Sequence, residues 1–262
     1  MVDDGDTTGE DAGRLVGAGR VLAILAELAR HPDGVTLEEM ARAAASPKPT
    51  VHRALASLAR FGFATRNGRG HYVLGDEFLR LAFAHHEARP DHVRVGPVLH
   101  SLAERYGETA HYAILDGATV VYRSKADPPL GAVKLTSTVG GRNPAHCTAV
   151  GKMLLSHALP DDAVVAAWAG GRSLERRTGN TVTTARALAA ELRATRERGY
   201  AIDDQENEPG IVCVAVPAFL TSPTVPSGAV SVSAPAYRTS LSRLVEQVPA
   251  IRAMVAEHET PR

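Results

Sequence analysis

The chain has 262 residues, 44% of them hydrophobic, with 29 Lys and Arg against 29 Asp and Glu, a formal net charge of zero that argues against a general polyanion binder. Its length allows two domains, each with a core of its own. It has no apolar run of membrane-spanning length and no signal-peptide pattern, and Cys147 and Cys213 lack Cys-x-x-Cys spacing, so a soluble cytoplasmic protein without a disulfide framework or zinc ribbon is expected.

Charge is uneven along the chain. Residues 1–16 carry Asp3, Asp4, Asp6, Glu10 and Asp11 with little to bury and are expected to be a disordered acidic tail, whereas from Gly17 to Arg89 the basic residues outnumber the acidic ones. Val21, Leu22, Leu25 and Leu28 mark an amphipathic first helix that His31-Pro32-Asp33-Gly34 ends. Thr36 and Glu39 have the capping-box spacing, so a second helix should start there, with Leu37, Met40, Ala41 and Ala44 inward. Ser46, Pro47 and Pro49 interrupt the pattern and open a third helix. In that helix Val51, Leu55 and Leu58 recur at i, i+4, i+7, which leaves Lys48, Thr50, His52, Arg53, Ser57 and Arg60 outward.

A helix-turn-helix places such a polar, basic second helix in the major groove. Phe63–Arg66 and His71–Leu74 read as strands around Asn67-Gly68, a hairpin signal, with Arg66 and Arg69 near its tip. Helix, helix and basic hairpin make the winged variant of the motif. The DNA-contact set is therefore Lys48, Thr50, His52, Arg53, Ser57, Arg66 and Arg69. A basic face on a helical hairpin is also compatible with simple solvation, and the wing is what favours DNA.

Residues 76–91 form a linker helix whose Leu79, Leu81, Phe83 and Ala84 are more apolar than a free linker needs, so it packs on its own domain or on the same helix of a second chain. After Pro90 a helix is expected near His92–Tyr106. Strands follow at His111–Asp116, Val120–Lys125 and Ala132–Ser137, then a Gly- and Pro-rich loop over Val139–Pro144. Helices at Thr148–His157, Asp161–Ala169 and Thr184–Arg198, strands at Tyr200–Asp203, Ile211–Pro217 and Gly228–Ala234, and a last helix over Ser240–Glu257 complete an α+β pattern. The domains expected are 17–75 for the winged helix, 76–91 for the linker and 92–262 for the second domain.

Period two places Ser231 and Ser233 side by side on one face of their strand and Val230 and Val232 on the other. The neighbouring IVCVAV run is apolar on both faces, so both are covered, and paired hydroxyls then fit a polar cavity better than a wet surface. If Thr148 caps its helix, the N–H groups of Ala149, Val150 and Gly151 lack partners within the helix and favour an anion, most simply a carboxylate. Among Asp203, Asp204, Glu206 and Glu208, one acid turned inward would accept from a ligand hydroxyl. The run lacks the Gly placement of a calcium loop, and no metal or cofactor is expected. A Cys-His-Asp enzyme site drawn from His146, Cys147, Cys213 and Asp203, with the N-terminal domain as a mere dimerisation device, is the alternative reading. No nucleophile motif surrounds either cysteine.

Several runs together, PKPTVHRALASL, HYVLG, GETAHYAILDG, NPAHCTAVGKMLL, RGYAIDDQENEPGIVCVAVP and GAVSVSAP, resemble the IclR family of bacterial transcriptional regulators from about Gly17 to the C-terminus. The resemblance implies an N-terminal winged helix-turn-helix, a dimerisation helix and a GAF-like α/β effector domain with an antiparallel sheet. It also implies a homodimer or tetramer that binds a roughly palindromic operator and responds to a small organic acid. Positions matching Ala149, Val150, Asp203, Cys213, Ser231 and Ser233 would hold that effector. Two departures stand out: Ala45 where the helix-turn-helix corner usually has Gly, and Pro49 where Ser is common.

Overall fold

The computed structural model describes residues 17–87, 90–128, 135 and 137–259, which divide into two compact units, the first ending and the second beginning between residues 87 and 90. In the first unit three helices, α1 (Ala18–Leu28), α2 (Leu37–Ala43) and α3 (Lys48–Arg60), pack around Ile24, Leu28, Met40, Val51, Leu55 and Leu58. The capping box at α2 forms as its spacing predicts: the Thr36 N–H donates to Glu39 Oε2 at 2.9 Å, and the Glu39 N–H donates to Thr36 Oγ1 at 3.2 Å.

The corner after α2 is a Schellman turn. The Ser46 N–H donates to the Ala41 carbonyl and the Ala45 N–H to the Arg42 carbonyl, which requires a left-handed residue at position 45. Ala45 takes that conformation with φ 43°, although its Cβ makes it costlier there than Gly.

The wing strands β1 (Ala64–Arg66) and β2 (Tyr72–Leu74) pair antiparallel, and Val35 bridges to Tyr72. The connection is longer than the two-residue Asn67-Gly68 turn expected. Asn67 Oδ1 instead accepts the N–H groups of Arg69 and His71 at 3.1 Å, and Gly70 takes the positive φ. Helix α4 (Asp76–Glu87) follows, with Phe78, Leu79 and Leu81 exposed.

The second unit is built on a six-stranded antiparallel sheet in the order β5-β4-β3-β8-β7-β6. The strands are β3 (Thr109–Asp116), β4 (Thr119–Ala126), β5 (Arg142–Pro144), β6 (Ala201–Asp204), β7 (Ile211–Ala218) and β8 (Gly228–Pro235). One face, with Ala110, Tyr112, Val214, Val216, Val230 and Val232, is covered by α5 (Pro90–Tyr106), α9 (Leu241–Glu246) and α10 (Val248–Ala256). The other face, with Ala113, Val120, Cys213, Ala215 and Ala229, packs against α6 (Ala149–Ala158), α7 (Asp162–Ala169) and α8 (Ala185–Arg198). Period two divides each strand between these two cores.

Three expectations change. Most of the strand expected at Ala132–Ser137 lies outside the described residues, and Leu135 and Ser137 are not in a strand. Arg142–Pro144, expected as loop, pairs with β4 as an edge strand. The last helix is two: Pro249 has no N–H to continue α9, so the chain restarts as α10 with proline in its first turn.

Replacing Ala45 by Gly should relieve the left-handed strain, which outweighs the extra unfolded-chain entropy, and stabilise the first unit by about 0.5–1 kcal/mol. The measurement is the urea midpoint of the full chain followed by far-UV circular dichroism. A lower midpoint would show that the corner is not held left-handed.

Candidate functional site

Ala149, Val150, Asp203, Cys213, Ser231 and Ser233, singled out above from three separate segments, all line one cavity of about 260 Å³ in the second unit. Its geometry follows from strand pairing. In β7 and β8 Cys213 stands opposite Ser233, and in β6 and β7 Asp203 stands opposite Cys213, so thiol, hydroxyl and carboxyl come side by side.

Across the cavity the start of α6 supplies backbone donors. Thr148 Oγ1 accepts the Gly151 N–H at 3.1 Å and the Thr148 carbonyl accepts the Lys152 N–H, which leaves the N–H groups of Ala149 and Val150 aimed forward. Gly151 is required by close approach: a Cβ there would sit 2.2 Å from the Ala145 carbonyl oxygen.

The acid that turns inward is Asp203, 3% exposed; its Oδ1 accepts the N–H groups of Glu206 at 2.7 Å and Asn207 at 3.4 Å. Burial pushes its pKa up to about 7, against the opposing pull of those N–H donors and of Lys152. Glu206 turns inward too, but toward α6, where its carboxylate meets the buried Lys152 ammonium.

Pattern reading missed the rest of the lining, notably His111, Tyr122, Asn143, Ser137 and Arg177. His111 faces Ser231 across the β3–β8 register, so the strand parity that singles out the serines also reaches it once that pairing is known. Its Nε2 lies 2.7 Å from Ser137 Oγ and its ring 5.0 Å from that of Tyr122. Burial holds His111 neutral, with a pKa lowered to about 3, and keeps the Tyr122 phenol protonated by raising its pKa to about 12. Asn143 donates to the Tyr122 hydroxyl at 3.3 Å, and Arg177 donates to the Asn207 carbonyl at 2.9 Å.

The nucleophile reading fails on this geometry. His146 Nε2 lies 3.0 Å from the Glu175 carbonyl rather than against a thiol, and Cys147 Sγ contacts Pro144 O and Asn207 Oδ1. Burial raises the Cys147 thiol to about 12 and Cys213 well above its usual value, so neither is a thiolate at neutral pH. Among the described residues no group of three or more His, Cys, Asp and Glu gathers as metal ligands.

In the first unit Lys48, His52 and Arg53 line an open groove on the exposed side of α3, together with Leu37 and Pro49. Thr50 and Ser57 are half-buried on its flanks. Lys48 also lies 3.4 Å from Glu38, both exposed, a contact worth little in water. On the wing Arg69 is exposed, and the Arg66 guanidinium lies 4.6 Å over the Tyr72 ring while donating to its hydroxyl.

The sequence profiles of known families decide what this pair of units is. Residues 17–68 match the IclR helix-turn-helix domain and residues 92–258 match the C-terminal domain of bacterial transcriptional regulators of the IclR type. The chain belongs to the IclR family. It is a DNA-binding transcriptional regulator and not an enzyme. It is 35% identical over 243 residues to the HTH-type transcriptional regulator BhcR of Paracoccus denitrificans, covering 90% of this chain and 83% of that one. The crystal structure of IclR from Thermotoga maritima superposes with a TM-score of 0.78 at 27% identity, covering 91% of this chain and 95% of that one. An IclR homologue from Microbacterium hydrocarbonoxydans, solved in complex with 4-hydroxybenzoate, gives 0.72 at 25% identity over 91% and 98% of the two chains.

In this IclR regulator Asp203 is the cavity group carried into the neutral range, and an anion brought into the same cavity would favour its uncharged form. Affinity of the cavity for a small anionic probe, titrated calorimetrically from pH 5.5 to 8.5, should be level below about 7 and fall up to about tenfold per unit above it. Asp203→Asn should flatten the profile; a wild-type profile flat across this range would show that the Asp203 proton plays no part.

Proposed function

We propose that this chain is a cytoplasmic, homodimeric repressor that binds a roughly palindromic operator and releases it, or grips it differently, when a small carboxylic acid occupies the cavity of the second unit. The observation that carries the reading is the convergence there of a helix start, two strand hydroxyls and a buried aspartic acid. That is a donor-rich lining for a carboxylate, with the uncharged rings of His111 and Tyr122 beside the serines. The acid's carboxylate lies at the N–H groups of Ala149 and Val150 and within reach of Ser231 and Ser233. A hydroxyl or keto oxygen on the same molecule meets Asp203, and Cys213 packs as an uncharged neighbour.

On the DNA side, Arg53 and His52 reach base edges from the exposed side of α3, with Thr50 at the rim. Lys48, Ser57, Arg66 and Arg69 bind phosphates. A dimer sets two such helices about one helical turn apart. Arg66, stacked on Tyr72, presents a fixed guanidinium edge, whereas Arg69 at the wing tip is free to follow the backbone.

A gel shift on DNA flanking the gene, run with and without the acid, tests both halves. Arg53→Ala should weaken binding by about 1–3 kcal/mol, five- to 150-fold. Ser231→Ala/Ser233→Ala should bind DNA as the wild type does but lose the response to the acid. Unchanged affinity of the first variant would remove Arg53 from the interface, and a normal response of the second would remove the serines from the ligand site.

A further inference from the structure

The second unit has another cavity, larger and on the opposite face of the sheet. It is a cleft of about 510 Å³ between the end of α5 and the start of α9. Three arginines line it from three segments: Arg105 in the last turn of α5, Arg238 after β8 and Arg243 on α9. Their one lining counter-charge, Glu108, is already fully engaged. It is 2% exposed and takes a bidentate contact from Arg238 Nε and Nη2 and a hydrogen bond from Thr239 Oγ1 at 2.7 Å. Arg238 also donates to the Gly107 carbonyl, so it quenches the negative end of α5 as well.

Arg105 and Arg243 are left over. Among the described residues neither has an ion-pair partner, and the Arg105 guanidinium is stacked 5.7 Å from the Tyr106 ring. Two exposed guanidinium groups on different elements line one concavity, and an anion placed between them would be attracted to both. The fork geometry of arginine suits a multi-oxygen anion approached from two sides.

We propose that this cleft is a second small-molecule site, taking a phosphate-bearing metabolite. Arg105 and Arg243 hold the phosphate from opposite sides. Two fixed positive charges match a dianion, and the tetrahedral oxygens can be shared between groups that do not lie in one plane, which a single flat carboxylate cannot do equally well. Gln247 and Thr239 offer neutral polar contacts to the organic part, and the volume, about twice that of the acid cavity, leaves room for it. The site goes beyond the acid-responsive reading: it shares no lining residue with the first cavity, so the two ligands would occupy separate sites.

Calorimetric titration of the full-length protein with inorganic pyrophosphate, at ionic strength fixed with potassium chloride, tests it. The wild type should bind one pyrophosphate per chain, and Arg105→Gln/Arg243→Gln should weaken this at least tenfold. Both arginines are exposed, so the variant should keep the wild-type melting temperature. Ser231→Ala/Ser233→Ala should bind pyrophosphate unchanged, which separates this site from the first, and that variant should bind succinate at least tenfold more weakly than pyrophosphate. Equal binding by Arg105→Gln/Arg243→Gln, or succinate binding as tight as pyrophosphate in Ser231→Ala/Ser233→Ala, would overturn the proposal. So would an absence of pyrophosphate heat together with a changed sedimentation coefficient of the glutamine variant, since the arginines would then serve a contact between chains.

Discussion

The arrangement of the ligand cavity depends on one buried cation. Lys152, on α6, is 1% exposed, and its ammonium is paired with Glu206 on the loop after β6 and with Glu191 on α8 at 3.3 Å. Glu191 is in turn held by Arg198 at 2.7 Å. Removing one member of such a pair strands the other charge in a dry interior, at about 3–5 kcal/mol, so the pair resists separation. Its location is what matters. Lys152 sits one turn beyond Ala149 and Val150, and the Glu206 N–H donates to Asp203, so the ammonium fastens the backbone donors of α6 to the acid on the facing loop. Donors and acceptor are thereby set in place before any ligand arrives, which lowers the ordering cost of binding.

A second constraint comes from backbone contact. Gly151 lets α6 approach the Ala145 carbonyl, and Gly228 lets β8 pass against the Tyr112 ring. The first sets how closely α6 approaches the turn before it, and the second how closely β8 lies against β3. A ligand bridging α6 and β8 bears on elements that already have little freedom, so its binding energy goes into favouring one arrangement of the unit over another rather than into assembling the site. The buried groups around the cavity are uncharged or close to it: His111 is neutral, both thiols are protonated, and Asp203 is poised to be so. An anion entering it meets dipoles and hydroxyls, with Arg142, Arg177 and Glu208 also in the lining.

The legible parts of this chain are those governed by local rules. Capping at Thr36 and Thr148, the left-handed Gly199 after α8, and the period-two strands all follow from nearest-neighbour chemistry, and the structure has them. Parity put Ser231 and Ser233 on one face, and helix polarity put Ala149 and Val150 at an anion's approach. Asp203 and Cys213 came from the family resemblance, because choosing among four acids needs the sheet register, which local pattern does not contain. His111 and Tyr122 escaped for the same reason. Arg142–Pro144 reads as a turn because Gly and Pro surround it; it becomes a strand only because the edge of β4 needs partners. The split before Pro249 is legible in principle, because a residue without an N–H is tolerated only in a helix's first turn.

The central claim is that the acid cavity and the recognition helix α3 are two sites of one linked system. Linkage makes the most direct test symmetrical: if an acid changes operator affinity by some factor, saturating operator must change the affinity for that acid by the same factor. The measurement is the dissociation constant of an acid that alters the gel shift, determined by calorimetry on the free protein and on the protein saturated with its operator fragment. The account predicts a change of about five- to 150-fold, equal to the factor by which the acid alters operator binding. An affinity for the acid that is identical in the two states would contradict it.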